Sequence, residues 1–200
     1  MSFFFSPLPR RHYRLIVIDV PWHFEVRDDE TGGERSPQAH YQTMSDAQIL
    51  GLPVGELAAP DCLIAMWATS PHLPLALRCL EAWGFKYGGA FPWLKTHASG
   101  EPARGLGYIG RHCSEPVVIG YRGRLKACLA APLDGLIDGR DMAPVIEARR
   151  REHSRKPDEF YDWILPNTAV PRVDIFARQA RPGFDVWGDQ AGKFDEGNGR

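Results

Sequence analysis

Leu15-Ile16-Val17-Ile18-Asp19-Val20-Pro21-Trp22 is the stretch whose reading decides the fold. Four branched aliphatics in a row, closed by an acid, are too few for a helix. They read as a strand buried on both faces of a parallel sheet. Pro21 stops it, because its ring fixes φ and removes the N–H that a strand ladder needs. Working outward, residues 62–67 (Cys-Leu-Ile-Ala-Met-Trp) form a second buried strand, and further strands are expected at 116–121, 145–146, 172–177 and 184–187. Residues 85–95 read as an extended segment or hairpin.

Helices fall between the strands. Ser45 opens one over 45–52, with Gln48 completing a capping box. A second begins at Ser70-Pro71, closes at Gly84, and is amphipathic through Leu73, Leu77, Leu80 and Trp83 with Pro74 in its first turn. A third starts at Pro157. Residues 25–40 and the glycine-rich 97–114 read as loops, 123–141 as irregular, and the tail from Gly192 as frayed. Strands alternating with helices give an α/β class, with a mostly parallel sheet and helices on both faces, in one domain over residues 1–200 whose core spans about 14–190. Ligands of such sheets bind beyond the carboxyl ends of the strands, which directs attention to Asp19 and to the segment after Asp174.

Composition narrows the possibilities. The 200 residues are 44% hydrophobic, enough for a full core, and carry a net charge of -1. A dedicated non-specific nucleic-acid binder is strongly basic, so any nucleic-acid contact here must come from local patches or from a partner subunit or second copy. Cys62 and Cys79 sit in apolar runs and read as small buried hydrophobes. No CxxC, HExxH or zinc-finger spacing occurs, so no metal is expected. The aromatic start followed by arginines has the wrong order for a signal peptide, and no segment approaches about 20 apolar residues, so the expectation is a cytoplasmic chain with no membrane span.

Asp19-Val20-Pro21-Trp22 lies where a ligand would sit. The exocyclic amine of adenine is a poor nucleophile, since its lone pair is delocalised into the ring. An acceptor side chain and a backbone carbonyl that take its two N–H groups turn that lone pair toward an incoming methyl. Tryptophan offers a flat face on which a base can stack, worth roughly 1–3 kcal/mol. A strand ending in an acid and a proline turn, with the tryptophan packed in the core, explains the same four residues equally well.

Further motifs follow in order. Tyr41-Gln42-Thr43-Met44-Ser45-Asp46 comes after the loop, then a strand ending at Trp67, a Trp83-Gly84-Phe85 turn, and Trp93-Leu94-Lys95-Thr96. Glu115 precedes a strand. Ser154-Arg155-Lys156-Pro157-Asp158-Glu159, Asp174-Ile175-Phe176-Ala177-Arg178 and Gly188-Asp189-Gln190 complete the series. In this content and order, over about residues 15–190, the chain resembles the family of the eukaryotic messenger-RNA N6-adenosine methyltransferase with its bacterial and phage relatives.

The resemblance implies a Rossmann-like fold and S-adenosylmethionine-dependent transfer of methyl to adenine N6. It implies that Asp19 contacts both the target amine and the methionyl amine, that Pro21 shapes the turn, and that Trp22 and Tyr41 flank a flipped base. Glu115 would recognise the base. Lys156 would hold the methionyl carboxylate, and Asp189 and Gln190 would contact the nucleoside. Asp174 and Arg178 lie at a second strand end on the cofactor side, where an acid commonly takes ribose hydroxyls. Two departures stand out: Val20 replaces the family's first proline, and Asp189 replaces an asparagine. They motivate a catalytically silent subunit as an alternative, beside an RNA-directed enzyme. The main expectation is a DNA adenine methyltransferase, possible as a homodimer or with a partner subunit. A dinucleotide oxidoreductase is disfavoured, because no GxGxxG follows the first strand.

Overall fold

The computed structural model describes residues 3–23, 43–105, 110–130, 145–152 and 154–195. Seven strands form one sheet: β1 (Tyr13–Ile18), β2 (Ala58–Trp67), β3 (Lys86–Thr96), β4 (Ser114–Arg122), β5 (Ile146–Arg149), β6 (Arg172–Ile175) and β7 (Asp185–Trp187), in the order β5-β3-β4-β2-β1-β6-β7. All pairs are parallel except the two made by β4, which runs against β2 and β3. A parallel neighbour needs a long crossover, usually a helix. The connection from β3 to β4 contains none among its described residues and simply turns the chain back. As a result the amino end of β4, with Glu115, lies beside the carboxyl ends of the other six strands.

Helices cover both faces. α1 (Asp46–Leu50), α2 (Val54–Leu57) and α3 (Leu73–Ala82) pack on one, and α4 (Leu125–Cys128) and α5 (Asp158–Asn167) on the other. The expected capping box starts α1: the Ser45 N–H donates to Gln48 Oε1 at 2.8 Å, and the Gln48 N–H donates to Ser45 Oγ at 3.3 Å. Pro74 sits in the first turn of α3, where its missing N–H has no partner to lose. A 3-10 turn over Ser70–His72 precedes that helix. β1 feeds both cores, Ile16 and Ile18 one side, Leu15 and Val17 the other, and all four are fully buried. Each such side chain contributes about 1.5–3 kcal/mol of burial. Where α3 crosses β4, Gly120 is required by space: a Cβ there would stand 2.9 Å from Ile64 Cγ2 and 3.0 Å from Leu80 Cδ2.

The described residues near both ends pack against the fold, including Gly192 to Asp195 at the start of the tail expected to fray. Phe5 is fully buried and packs edge-on against Trp187, with ring centroids 5.0 Å apart. At the other end, the Phe194 N–H donates to the Arg178 carbonyl at 2.9 Å, and the Ala180 N–H to Asp195 Oδ1 at 2.8 Å. Among the described residues no helix is long and apolar enough to cross a membrane.

Candidate active site

The turn after β1 is held from four directions. The Asp19 N–H donates to the Ile175 carbonyl, and the Trp22 N–H reaches back to the Val20 carbonyl at 2.8 Å. The Met44 N–H donates to the Pro21 carbonyl at 2.9 Å. Trp22 Nε1 donates to the Trp67 carbonyl at 3.2 Å, so β1 and β2 are tied at their carboxyl ends. His72 stacks on the Trp22 ring, with centroids 5.0 Å apart and planes inclined 21°. Its Nε2 meets the His23 carbonyl at 2.8 Å and its Nδ1 meets Thr69 Oγ1 at 2.7 Å. A carbonyl only accepts, so Nε2 carries the proton. Burial holds the ring below the usual histidine range, which favours this neutral form.

Four ionisable side chains, Asp19, Lys156, Glu115 and Lys95, line up beside the turn. Lys156 Nζ lies 3.2 Å from Asp19 Oδ1 and is hydrogen-bonded to Glu115 Oε1. Lys95 Nζ takes the other Glu115 oxygen at 2.6 Å, and Ser154 Oγ donates to Asp19 Oδ2 at 3.2 Å. Side-chain exposures of 15%, 10% and 8% for Asp19, Lys156 and Glu115 show how little water reaches them. Burial pushes the Asp19 carboxyl above its ordinary range and Glu115 adds to the rise, while Lys156 and Arg178 pull it back. Burial works against ionisation of Glu115 too, but Lys156 and Lys95 outweigh it and hold that carboxyl low. The two carboxylates likewise outweigh burial at Lys156 and raise it. Its ammonium also lies 5.0 Å from the Trp67 ring centroid, an additional favourable contact for a cation.

A cleft of about 490 Å³ opens on the other side of Asp19, toward β6 and β7. Phe4, Met44, Phe176 and Trp187 supply apolar walls, and Asp19, Thr43, Gln48, Arg178, Asp189 and Gln190 supply polar ones. Phe176 adopts φ 59 and Ser154 φ 62, a region that costs ordinary residues energy and tends to persist at functional sites. Gly188 lets β7 run on past this point: at φ +151, a Cβ there would stand 2.9 Å from Phe176 Cα.

These positions sort the residues expected from sequence. Asp19, Pro21, Arg178, Asp189 and Gln190 line the cleft together, and Glu115 and Lys156 join Asp19 from its far side. Two roles need correction. The Trp22 ring is 3% exposed, with His72 on its face and its N–H spent on β2, so it braces the turn and offers no face to a base. Asp174 is 3% exposed and accepts the Tyr161 hydroxyl at 2.8 Å, so it faces α5 and not the cleft. Burial lifts its carboxyl to about 7. Tyr41 lies outside the described residues. Lys95, Ser154, Phe4 and Trp187 take part without having been singled out. Lys95 and Ser154 stood inside quoted motifs, whereas nothing in an aromatic run at the chain start marks Phe4 as a wall.

Among the described residues no group of histidine, cysteine or acid side chains is arranged to hold a metal ion. The donor set suits an organic zwitterion instead. Asp19 offers a carboxylate to an ammonium, Arg178 and Lys156 offer cations to a carboxylate, and Asp189 and Gln190 offer acceptors to hydroxyls, all beside aromatic walls.

Comparison with known proteins agrees with this arrangement. The MT-A70 family profile matches residues 13–190. The type II methyltransferase M.MunI of Mycoplasma sp is 27% identical over 200 residues, covering 92% of this chain and 80% of its own. The human N(6)-adenine-specific methyltransferase METTL4 is 28% identical over 195 residues, covering 92% of this chain and 39% of its own. The N6-methyladenosine RNA methyltransferase MTA1 of Cryphonectria parasitica is 31% identical over 200 residues, covering 92% of this chain and 53% of its own. The chain therefore spans most of M.MunI but about half or less of the other two. With nearly its whole length matched, and with the matched segment containing all of the cleft's lining but Phe4 and the charged row beside it, the chain belongs to the MT-A70 family of methyltransferases.

Proposed function

We propose that this chain transfers a methyl group from S-adenosylmethionine to the N6 amine of adenine in DNA. The observation that carries the reading is the position of Asp19, which faces the cleft on one side and the Lys156–Glu115 pair on the other. Asp19 can thus serve a ligand in the cleft and a base beyond it. Bound S-adenosylmethionine supplies an activated methyl on a sulfonium. Asp19, Arg178, Asp189 and Gln190 are the residues that would hold it, with Lys156, which lines a smaller cavity beside Arg178 and Phe176, for its carboxylate and with Phe4 and Trp187 as aromatic walls.

On the target side, Asp19 accepts one N–H of the adenine amine. The Val20 carbonyl has given one lone pair to the Trp22 N–H and keeps a second for the other N–H. Both acceptors sit on a turn fixed at both ends, so the chain's contribution is chiefly positioning. Lys156 favours the ionised, accepting form of Asp19 against the effect of burial. Glu115, anchored by two lysines, presents acceptor oxygens toward the base. A duplex target must extrude its adenine, at a few kcal/mol.

DNA is favoured over RNA by extent of match. The chain covers four fifths of M.MunI but only about half of the RNA methyltransferase MTA1. The deciding experiment is methyl transfer from radiolabelled S-adenosylmethionine to unmodified DNA and to RNA, with Asp19→Ala in parallel. Label on DNA adenine that disappears in the variant supports the reading. Label on RNA alone overturns the substrate, and cofactor binding without label on either favours a silent subunit.

A further inference from the structure

Read along the sequence, the basic residues fall into two groups: 149–151 with 155–156, and Arg104, Arg111, Arg122, Arg124 and Lys126. The fold regroups them. Arg151 is tied to Asp158 and the Lys156 carbonyl, Arg155 to Glu152 and Gln179, and Lys156 belongs to the site. Arg122 donates to the Gly55 carbonyl, and Arg124 pairs with Asp61, both at the far end of β4.

Lys126 lies on α4 at that same far end, and the four arginines that remain are brought to one rim by the backbone. Thr96, at the end of β3, is the register partner of Arg149, and its carbonyl accepts the Arg150 N–H at 3.0 Å. Thr96 also bridges to Pro102, two residues before Arg104. The Gly105 N–H donates to the carbonyl of His112, the neighbour of Arg111, at 2.8 Å. Arg104, Arg111, Arg149 and Arg150 are all exposed; Glu101, Glu147 and Glu152 share their segments, the last of them paired with Arg155. The rim continues from Lys95, which is already paired with Glu115 in the site.

We propose that this rim, at the carboxyl ends of β3 and β5 and the amino end of β4, is the track for the DNA backbone that flanks the target adenine. The inference rests on the proposed function. Charge and continuity support it: the rim is net positive in a chain of net charge -1, and it runs on from Lys95, whose partner Glu115 shares Lys156 with Asp19. Its reach also fits. Strands about 4.8 Å apart put β4 about 10 Å and β5 about 19 Å from β1. At about 3.4 Å of axis per phosphate on one strand, that spans roughly the third to the sixth nucleotide from the target. Arginine suits the task, being always charged and able to fork onto phosphate oxygens.

Binding of a fluorescein-labelled adenine-containing duplex across a salt series tests the track. Four phosphate contacts contribute about -3.6 to the slope of log K against log salt. Arg149→Gln/Arg150→Gln and Arg104→Gln/Arg111→Gln should each reduce the slope by about 1.8, equivalent to about a 12-fold smaller loss of affinity over a fourfold rise in salt. Lys126→Gln, an exposed lysine on α4 at the opposite end of the sheet, should leave slope and affinity as they are. Unchanged thermal melting and S-adenosylmethionine affinity in both double variants show an intact fold. If the wild type methylates DNA and both double variants keep its slope, the rim is not the track. If the slope falls on single-stranded RNA and not on the duplex, the assignment to DNA is overturned. A wild type that neither binds nor methylates DNA refutes the proposed function and the rim with it.

Discussion

Replacing Lys156 with methionine isolates the energetics of the ionised row. Methionine keeps roughly the volume of the lysine stem and its contact with Trp67 but removes the charge. Glu115 retains Lys95 at 2.6 Å, so Asp19 bears most of the loss, keeping the Ser154 hydroxyl as a hydrogen-bond donor and the Arg178 charge nearby. At 15% exposure water cannot take over. Breaking a buried pair by deleting one partner costs about 3–5 kcal/mol, which for a chain of this length lowers Tm by about 6–20 °C.

The sign with pH is fixed. Burial already raises the Asp19 carboxyl, and loss of Lys156 raises it further. The folded variant therefore favours protonated Asp19, and its penalty is full at pH 8 and relieved as pH falls through the raised value. Urea denaturation at pH 5 and pH 8 measures this, and Asp19→Asn/Lys156→Met should recover most of the loss at pH 8. A cost under about 1 kcal/mol, or one equal at the two pH values, would refute the view that charge pairing holds this row.

Three further outcomes follow from single contacts. Asp174 is raised to about 7 by burial, so its favourable contribution is full below the unfolded value near 4 and gone above 7. Asp174→Asn cannot ionise and can still accept from Tyr161, so its Tm relative to wild type should rise between pH 5 and 8, and a constant difference would contradict the assignment. His72→Ala removes the stack on Trp22 and the bond to the His23 carbonyl, and should cost about 1–3 kcal/mol in denaturation together with a fall in kcat. Full turnover in that variant would show that the turn is fixed without it. Gly120→Ala pushes a methyl against Ile64 and Leu80 and should cost about 1–3 kcal/mol, with an α3–β4 packing defect as its cause. A neutral result by thermal melting would mean that Leu80 yields freely.

The strands and the carboxyl-end site were legible because their signals are local. An apolar run closed by an acid at 15–19 can scarcely be anything but the end of a buried strand, and the Ser45–Gln48 box needs only four residues. The direction of β4 was not legible, since it depends on how a loop returns and not on what the strand contains. The packing of the segments near the ends was not legible for a related reason. Phe5 and Phe194 are held by Trp187 and Arg155, residues about 180 and 40 positions away, and no local pattern reports such a partner. Asp174 and Trp22 carry family motifs, but which face each turns to is set by α5 and by β2. A motif locates a residue on the chain and leaves its orientation to the packing.

That distinction bears on Val20, the departure that most favours a silent subunit. A proline there would stiffen the turn by fixing φ at one residue. The structure stiffens the same turn by other means: the Trp22 N–H closes on Val20, the Met44 N–H holds Pro21, Trp22 Nε1 binds β2, and His72 covers the ring. The Val20 side chain is itself buried at 2% in the core, an anchor that the smaller contact surface of a proline ring would not reproduce in the same way. The proposed reaction uses a carbonyl at this residue with a lone pair to spare, and valine provides it as proline would. Val20→Pro should therefore leave the methylation rate within about threefold of wild type, a barrier change under roughly 0.7 kcal/mol. A large gain in rate would mean that the turn is loose as it stands, and the argument from its four restraints would fail.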